Sequence, residues 1–147
     1  MAKRFVGPPK TELLYKSDGS VVNLADLLAN GGGGGGGTDP TPPANVTLQN
    51  NATANGNGTP FTVGSYKTLT VEVTGTSASR TVVFEAQSTS GAWYPIQGVK
   101  LQDFSMATQT TGNGEVWQFD ITGLAAFRAR VSAIAGGNVS VRGKAVT

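Results

Sequence analysis

The chain has 147 residues, of which 38% are hydrophobic and 14% are charged, and its formal net charge is +2. It has no cysteine and no histidine, which excludes disulfides, zinc–thiolate and imidazole metal sites, and Ser–His or Cys–His catalysis. The low charge and the many β-branched residues favour a sheet protein, and the scattered lysines and arginines argue against nucleic-acid binding.

Residues 1–30 are predicted to form an N-terminal arm. Two apolar runs lie on either side of Asp18 and Gly19, which predicts a short β-hairpin. Asn23 can cap a brief helix over residues 24–28, although a helix of about six residues is marginal alone.

The arm carries more apolar side chains than a free tail needs, yet so short a segment cannot bury them in a core of its own. The arm either folds back on the rest of the chain or docks on a partner, and we predict docking. The predicted docking residues are Phe5, Val6, Leu13, Leu14, Tyr15, Val21, Val22, Leu24, Leu27 and Leu28.

Seven consecutive glycines, residues 31–37, follow the arm and precede a proline-containing segment. Glycines cannot bury side chains to offset the ordering of their backbone, so this tract predicts a flexible tether. The Asn/Gly/Thr-rich sequence that continues to Thr59 is predicted to be a loop. The predicted organisation is therefore an arm over residues 1–30, a linker over 31–59 and a β-domain over 60–147.

From Phe61 onward, apolar and polar residues alternate with the period of two that is typical of strands with one buried face. The predicted inward-facing sets are Leu69, Val71 and Val73; Val82, Phe84 and Ala86; Trp117, Phe119 and Ile121; Phe127, Ala129, Val131 and Ala133; and Val139, Val141 and Ala145. Another strand begins at Trp93, and the less regular stretch 97–113 is expected to hold one or two short strands around residues 100–106. This pattern predicts an all-β, antiparallel β-sandwich, with a jelly roll or a small barrel as alternatives.

Four stretches of the β-domain resemble a β-sandwich module that recurs in virion proteins of tailed bacteriophages, including head-fibre, head-decoration and tail-associated proteins. These stretches are YKTLTV from Tyr66, VFEAQS from Val83, GAWYPI from Gly91 and FDITGLAAFRARV from Phe119. The resemblance covers residues 60 to 146. It implies an Ig-like fold and a structural or adhesive role.

Two groups of residues are candidates for surface binding. Trp93 and Tyr94 form a possible aromatic platform for sugars, but sandwich cores commonly contain one tryptophan, so we predict that Trp93 and Trp117 are core residues.

The second group is basic and comprises Arg128, Arg130, Arg142 and Lys144. We place its members on the outward faces of the last two strands, paired as a hairpin, where they would form a stripe for an anionic cell-wall polymer or an acidic capsid surface. The favoured alternative is a solvated sheet face, with nearby acids as counter-charges. These acids are Glu85, Glu115 and Asp120.

The acidic residues could also supply the carboxylate pair of a glycoside hydrolase. The candidates are Glu72, Glu85, Asp103, Glu115 and Asp120. Acids that alternate along short strands do not indicate a cleft, so we predict no enzymatic activity, no cofactor and no metal.

The sequence and the resemblance together predict a structural virion protein, a head fibre or capsid decoration docked by its arm. The alternative is a tail or baseplate adhesin whose β-domain binds a cell-surface carbohydrate. The expected partners are capsid, neck or tail proteins, further copies of the chain, for example in a trimer, and a host cell-wall glycan. No apolar stretch of signal-peptide or membrane-span length is found in the sequence, so we expect synthesis in the host cytoplasm, no membrane segment and a location on the virion surface.

Overall fold

The computed structural model describes residues 13–15, 21–23 and 41–147, and the chain divides into two units between Thr38 and Asp39. In the first unit, strand β1 (Leu13–Tyr15) pairs antiparallel with strand β2 (Val21–Asn23). This pairing confirms the hairpin predicted from Asp18 and Gly19. The helix predicted over residues 24–28 and the glycine tract lie outside the described residues.

The second unit is a sandwich of two antiparallel sheets, which confirms the predicted fold class. Its strands are β3 (Ala44–Ala52), β4 (Phe61–Thr62), β5 (Thr68–Thr74), β6 (Ser79–Gln87), β7 (Trp93–Pro95), β8 (Gly98–Lys100), β9 (Met106–Ala107), β10 (Gln109–Thr110), β11 (Glu115–Asp120), β12 (Ala126–Ala135) and β13 (Val139–Val146). The larger sheet has the order β3-β13-β5-β11-β8-β9. The smaller sheet has the order β10-β6-β12-β4, and β7 also pairs with β6. No helix long and apolar enough to cross a membrane occurs in the described part of the chain.

The core between the sheets is built from the alternating apolar residues, because every second side chain of a strand faces the same side. The inward sets predicted on β5, β6, β11 and β13 are all buried. Phe119 links the two sheets, since its ring centroid lies 4.8 Å from those of Phe84 and Phe127. Trp117 is also buried, and its ring centroid lies 5.4 Å from that of Phe84, which confirms its predicted place in the core.

Strand β3 corrects the predicted linker over residues 31–59. Residues 44–52 pair with β13 at the edge of the larger sheet, so the sandwich begins about fifteen residues earlier than predicted. Val46 and Leu48 enter the core, and the buried Gln49 donates through Nε2 to the carbonyl oxygen of Ala129 at 2.7 Å. The pairing of β3 with β13 contains a register shift, so the buried residues of β3 do not alternate strictly and the sequence pattern did not predict this strand.

The last two strands correct a second prediction, because they do not pair with each other. Strand β12 pairs with β6 and β4 in the smaller sheet, whereas β13 pairs with β3 and β5 in the larger sheet. The chain crosses between the sheets at Gly136 and Gly137, which both have positive φ. A bulge between Val131 and Ala133 also breaks the alternation in β12. Ala133 is therefore exposed, contrary to the prediction, and Ile134 packs against the core.

Candidate functional site

The outer face of the smaller sheet carries a cluster of one acidic and two basic side chains. Arg128 on β12 lies directly opposite Glu85 on β6, and Arg130 lies two residues further along β12. The Nε of Arg128 donates to one oxygen of Glu85 at 2.6 Å, and the Nε of Arg130 donates to the other oxygen at 3.0 Å. Glu85 is buried beneath them. The predicted counter-charge role of Glu85 is thus confirmed for these two arginines.

Trp93 borders this cluster and is not the core tryptophan that we predicted. It is half-buried on β7, opposite Gln87, and the guanidinium carbon of Arg128 lies 4.2 Å from its ring centroid. This cation–π contact explains the partial burial of a side chain that stands outside the core. Tyr94 is 58% exposed. Because neighbouring side chains of a strand face opposite sides, Trp93 and Tyr94 do not form one aromatic platform.

The basic stripe predicted from four residues is divided between the two sheets. Arg142 and Lys144 lie on β13, in the larger sheet, while Arg128 and Arg130 lie on β12, in the smaller sheet. Arg142 is exposed, and its Nη2 donates to Oδ1 of Asn50 at 2.6 Å. The stripe prediction was wrong because it assumed that consecutive strands pair, whereas this connection crosses the sandwich.

Two of the other acidic residues, Glu115 and Asp120, accept hydrogen bonds from residues close to them in the sequence. Glu115 accepts hydrogen bonds from Trp117 Nε1 at 3.0 Å and from the Thr110 hydroxyl. Asp120 accepts from the backbone N–H of Thr122 at 2.9 Å, which holds the pKa of its carboxyl below the usual range.

Asp103 lies in the loop between β8 and β9, where Lys100 Nζ lies 2.6 Å from its carboxylate. The hydrogen bond from Lys100, followed by those from Ser105, lowers the pKa of Asp103 to about 2. Lys100 Nζ also lies 3.7 Å from Glu115, so Glu115 serves as a counter-charge for a lysine rather than for the predicted arginines.

The same loop presents an exposed apolar group that sequence reasoning missed. Phe104 is 76% exposed, and its φ of 58° is a left-handed conformation that a bulky residue seldom adopts. Leu101 and Met106 are also exposed. These three apolar residues are irregularly spaced within the stretch 97–113. Their spacing fits neither a strand nor a helix, so the sequence pattern did not reveal an exposed apolar group.

The predicted docking residues of the arm are only partly covered by the structure. Five of them lie on the two strands of the hairpin, namely Leu13, Leu14, Tyr15, Val21 and Val22. The other five lie outside the described residues, namely Phe5, Val6, Leu24, Leu27 and Leu28. Docking by the arm therefore stays a prediction.

Comparison with known proteins places the sandwich in a family. The XepA family model matches residues 42–145. In Bacillus subtilis strain 168, the chain is 45% identical over 92 residues to the protein YqxG, covering 63% of this chain and 31% of YqxG. It is 39% identical over 97 residues to the phage-like element PBSX protein XepA, covering 66% of this chain and 35% of XepA. The chain thus spans about a third of the length of these two relatives.

A third relative in the same strain is shorter. The SPbeta prophage-derived protein YomS is 34% identical over 101 residues, which cover 69% of this chain and 85% of YomS.

Two solved structures share the fold. The crystal structure of the SPBc2 prophage-derived protein YomS superposes with a TM-score of 0.69 at 33% identity, covering 75% of this chain and 96% of that one. The crystal structure of the PBSX exported protein XepA gives a TM-score of 0.73 at 28% identity, covering 100% of this chain and 49% of that one. With relatives from the PBSX element and the SPbeta prophage, this chain is a phage-derived protein that belongs to the XepA family.

Proposed function

We propose that this chain is a non-enzymatic structural protein of a phage particle, of the head-fibre or capsid-decoration type. The arm, residues 1–30, docks on another virion protein, and the sandwich is displayed on the particle surface. The observation that carries the proposal is that residues 41–147 contain a continuous apolar core, and we propose that the apolar side chains of the arm serve a partner.

Among residues 41–147, the sandwich has a continuous core whose buried apolar members lie between Val46 and Ala145. The solved structure of YomS supports the idea that the sandwich folds without the arm. The match covers 96% of that chain and 75% of this one, and 75% is close to the share of this chain that residues 41–147 make up. A fold that occurs nearly alone in a relative does not require an additional arm for its stability. The apolar residues of the arm are therefore proposed to bind a partner rather than to stabilise the sandwich.

The acidic residues support a non-enzymatic role. A glycoside hydrolase needs one carboxyl that donates a proton and a second that acts as nucleophile or base. Both oxygens of Glu85 are bound by arginines, and Asp103 is held ionised by Lys100 and Ser105. These contacts support a structural role for the two carboxylates, which hold neighbouring strands and a loop in place.

The names of the relatives suggest where the protein acts. One solved relative is described as an exported protein of the PBSX element. A virion component or a protein outside the cell agrees with that description. Several copies on one particle, in a homo-oligomer such as a trimer, would turn weak contacts into avid binding.

A second candidate function, a tail or baseplate adhesin, is favoured by the exposed aromatic side chains Tyr94 and Phe104. Aromatic faces of this kind can stack on sugar rings. An array of neutral glycans probed with residues 41–147 separates the two functions, because only the adhesin predicts saturable binding to a defined neutral glycan.

The docking role is tested by deleting residues 1–40 and measuring the amount of protein in purified particles of the encoding phage. We expect the deletion to abolish incorporation, while circular dichroism and thermal unfolding show an intact sandwich. The matched control is the full chain with Arg142→Gln, a surface change that should leave incorporation unchanged. Normal incorporation of the truncated protein would overturn the proposal.

A further inference from the structure

We propose that Arg128 and Arg130 form a binding site for a singly charged oxyanion, a phosphodiester or a carboxylate, carried by a saccharide or polyol polymer. The site lies on the outer face of the smaller sheet. It goes beyond the docking role, since it concerns only the sandwich, and its failure would leave docking by the arm untouched.

The two arginines keep hydrogen-bonding capacity after they have bound Glu85. They lie two residues apart on β12 and therefore on the same face of the sheet. Each uses only its Nε for Glu85, and the terminal Nη groups have no hydrogen-bond partner among residues 41–147. Among residues 41–147, Ser77 Oγ is the one fully buried side-chain polar atom that has no hydrogen-bond partner. The Nη groups of the two arginines, which also have no partner, are therefore accessible to solvent. Two guanidinium groups thus offer free donors at one surface.

Their orientation is fixed before any ligand arrives. The side chain of Arg128 is 15% exposed and lies on the ring of Trp93, and that of Arg130 is 34% exposed. Both are held from below by the buried Glu85. A planar guanidinium that is already positioned loses little conformational freedom on binding, which lowers the cost of recognising an oxyanion.

The charge of the cluster limits the ligand. Two guanidinium groups and one carboxylate leave a single net positive charge, which matches one phosphodiester or one carboxylate. A nucleic acid needs several basic contacts along its backbone. Arg142 and Lys144 lie on the other sheet and cannot extend this site.

The neighbours of the cluster favour a hydroxyl-rich polymer over a protein partner. Gln87 and Gln109 occupy outward positions on β6 and β10 beside the arginines, and Ser132 lies in the bulge of β12, where its hydroxyl donates to the Thr81 carbonyl. A protein interface would be expected to centre on an open aromatic anchor, whereas the ring of Trp93 beside this cluster is half-buried and has Arg128 stacked on it. Amide and hydroxyl groups around an oxyanion site instead suit the hydroxyls of a saccharide or polyol.

The test measures binding of the full-length protein to four polymers by isothermal titration calorimetry. The probes are poly(glycerol phosphate), polygalacturonate, neutral dextran and oligothymidylate. We expect binding to one of the first two, which identifies the oxyanion as phosphodiester or carboxylate, and no binding to dextran. Arg130→Gln should weaken binding about tenfold, and Arg130→Lys should weaken it less because it keeps the charge.

The matched control is Arg142→Gln, which removes an arginine from the other sheet and should leave affinity unchanged. Thermal unfolding of each variant checks that the sandwich is folded. The proposal is overturned if neither anionic polymer binds or if Arg142→Gln weakens binding as much as Arg130→Gln. Equal or tighter binding of oligothymidylate would also overturn it, because that result indicates general attraction to polyanions.

Discussion

Gly98, at the start of β8, lies where the backbone approaches the aromatic core most tightly. A Cβ at this position would lie 2.5 Å from Cζ of Phe119, a distance that real side chains do not tolerate. Phe119 cannot move away, because it is buried between the rings of Phe84 and Phe127. The missing side chain is therefore a packing requirement of the core.

Gly98→Ala should lower the free energy of unfolding by about 1–3 kcal/mol relative to the control Gly56→Ala, because it overpacks the core. Gly56 also has an unstrained φ, and a Cβ there meets no atom within 4 Å. Both changes restrict the unfolded chain in the same way, so their difference isolates the clash. Urea denaturation measures it. Equal stability of the two variants would show that Phe119 can yield.

The two tryptophans show how far a residue's environment can be predicted from its neighbours in the sequence. Trp117 alternates with Phe119 and Ile121, and this local pattern was enough to place it in the core. Trp93 lies on a three-residue strand, and its environment is set by Arg128 from another strand. No local pattern contains that contact, so the sequence could not reveal that an arginine covers this ring.

The loop between β8 and β9 shows how a short element can hold a strained residue. Two backbone hydrogen bonds close it, from Lys100 N–H to the Ser105 carbonyl and from Phe104 N–H to the Lys100 carbonyl, both at 2.8 Å. The carboxylate of Asp103 accepts from the Ser105 N–H at 3.0 Å and from its hydroxyl at 2.6 Å. These contacts offset the cost of the left-handed backbone at Phe104.

This loop should be sensitive to acid. Asp103 has a pKa of about 2 in the folded chain, against an ordinary value of 3.8. A lowered folded-state pKa means that the contribution of Asp103 to stability is complete above pH 3.8 and is lost as the pH falls towards 2. We expect an NMR titration of the Asp103 carboxyl to show a midpoint near 2.

Asp103→Asn is the matched variant for this titration. It should remove the part of the acid dependence of stability that Asp103 contributes between pH 4 and pH 2. A midpoint near 3.8 in the original chain would contradict the proposed contacts with Lys100 and Ser105.

Whole strands could be predicted where buried and exposed residues alternate strictly. They could not be predicted where a register shift interrupts the alternation. Strands β5 and β11 pair directly, and their inward residues were all identified correctly. Strand β3 was missed because the register shift puts Leu48 and Gln49, consecutive residues, both out of solvent. The separation of β12 from β13 depends on contacts distant in sequence, so it could not be read from either strand alone.

At the scale of the whole molecule, the chain combines a sandwich of the XepA family with an N-terminal unit that includes a short hairpin. The sandwich presents two different surfaces, an arginine cluster on the smaller sheet and an exposed apolar loop at the edge of the larger one. Neither surface is needed for the core. Under the proposed docking of the arm on a particle, both surfaces would be available for recognition.

The most direct test of this anchor-and-display arrangement is to locate the two ends of the protein on purified phage particles. Electron microscopy with a label on either terminus measures the distance of each end from the particle shell. We expect both labels on the particle surface, with the N-terminal label against the shell and the C-terminal label further out. Particles that lack the protein, or a C-terminal label closer to the shell than the N-terminal one, would contradict it.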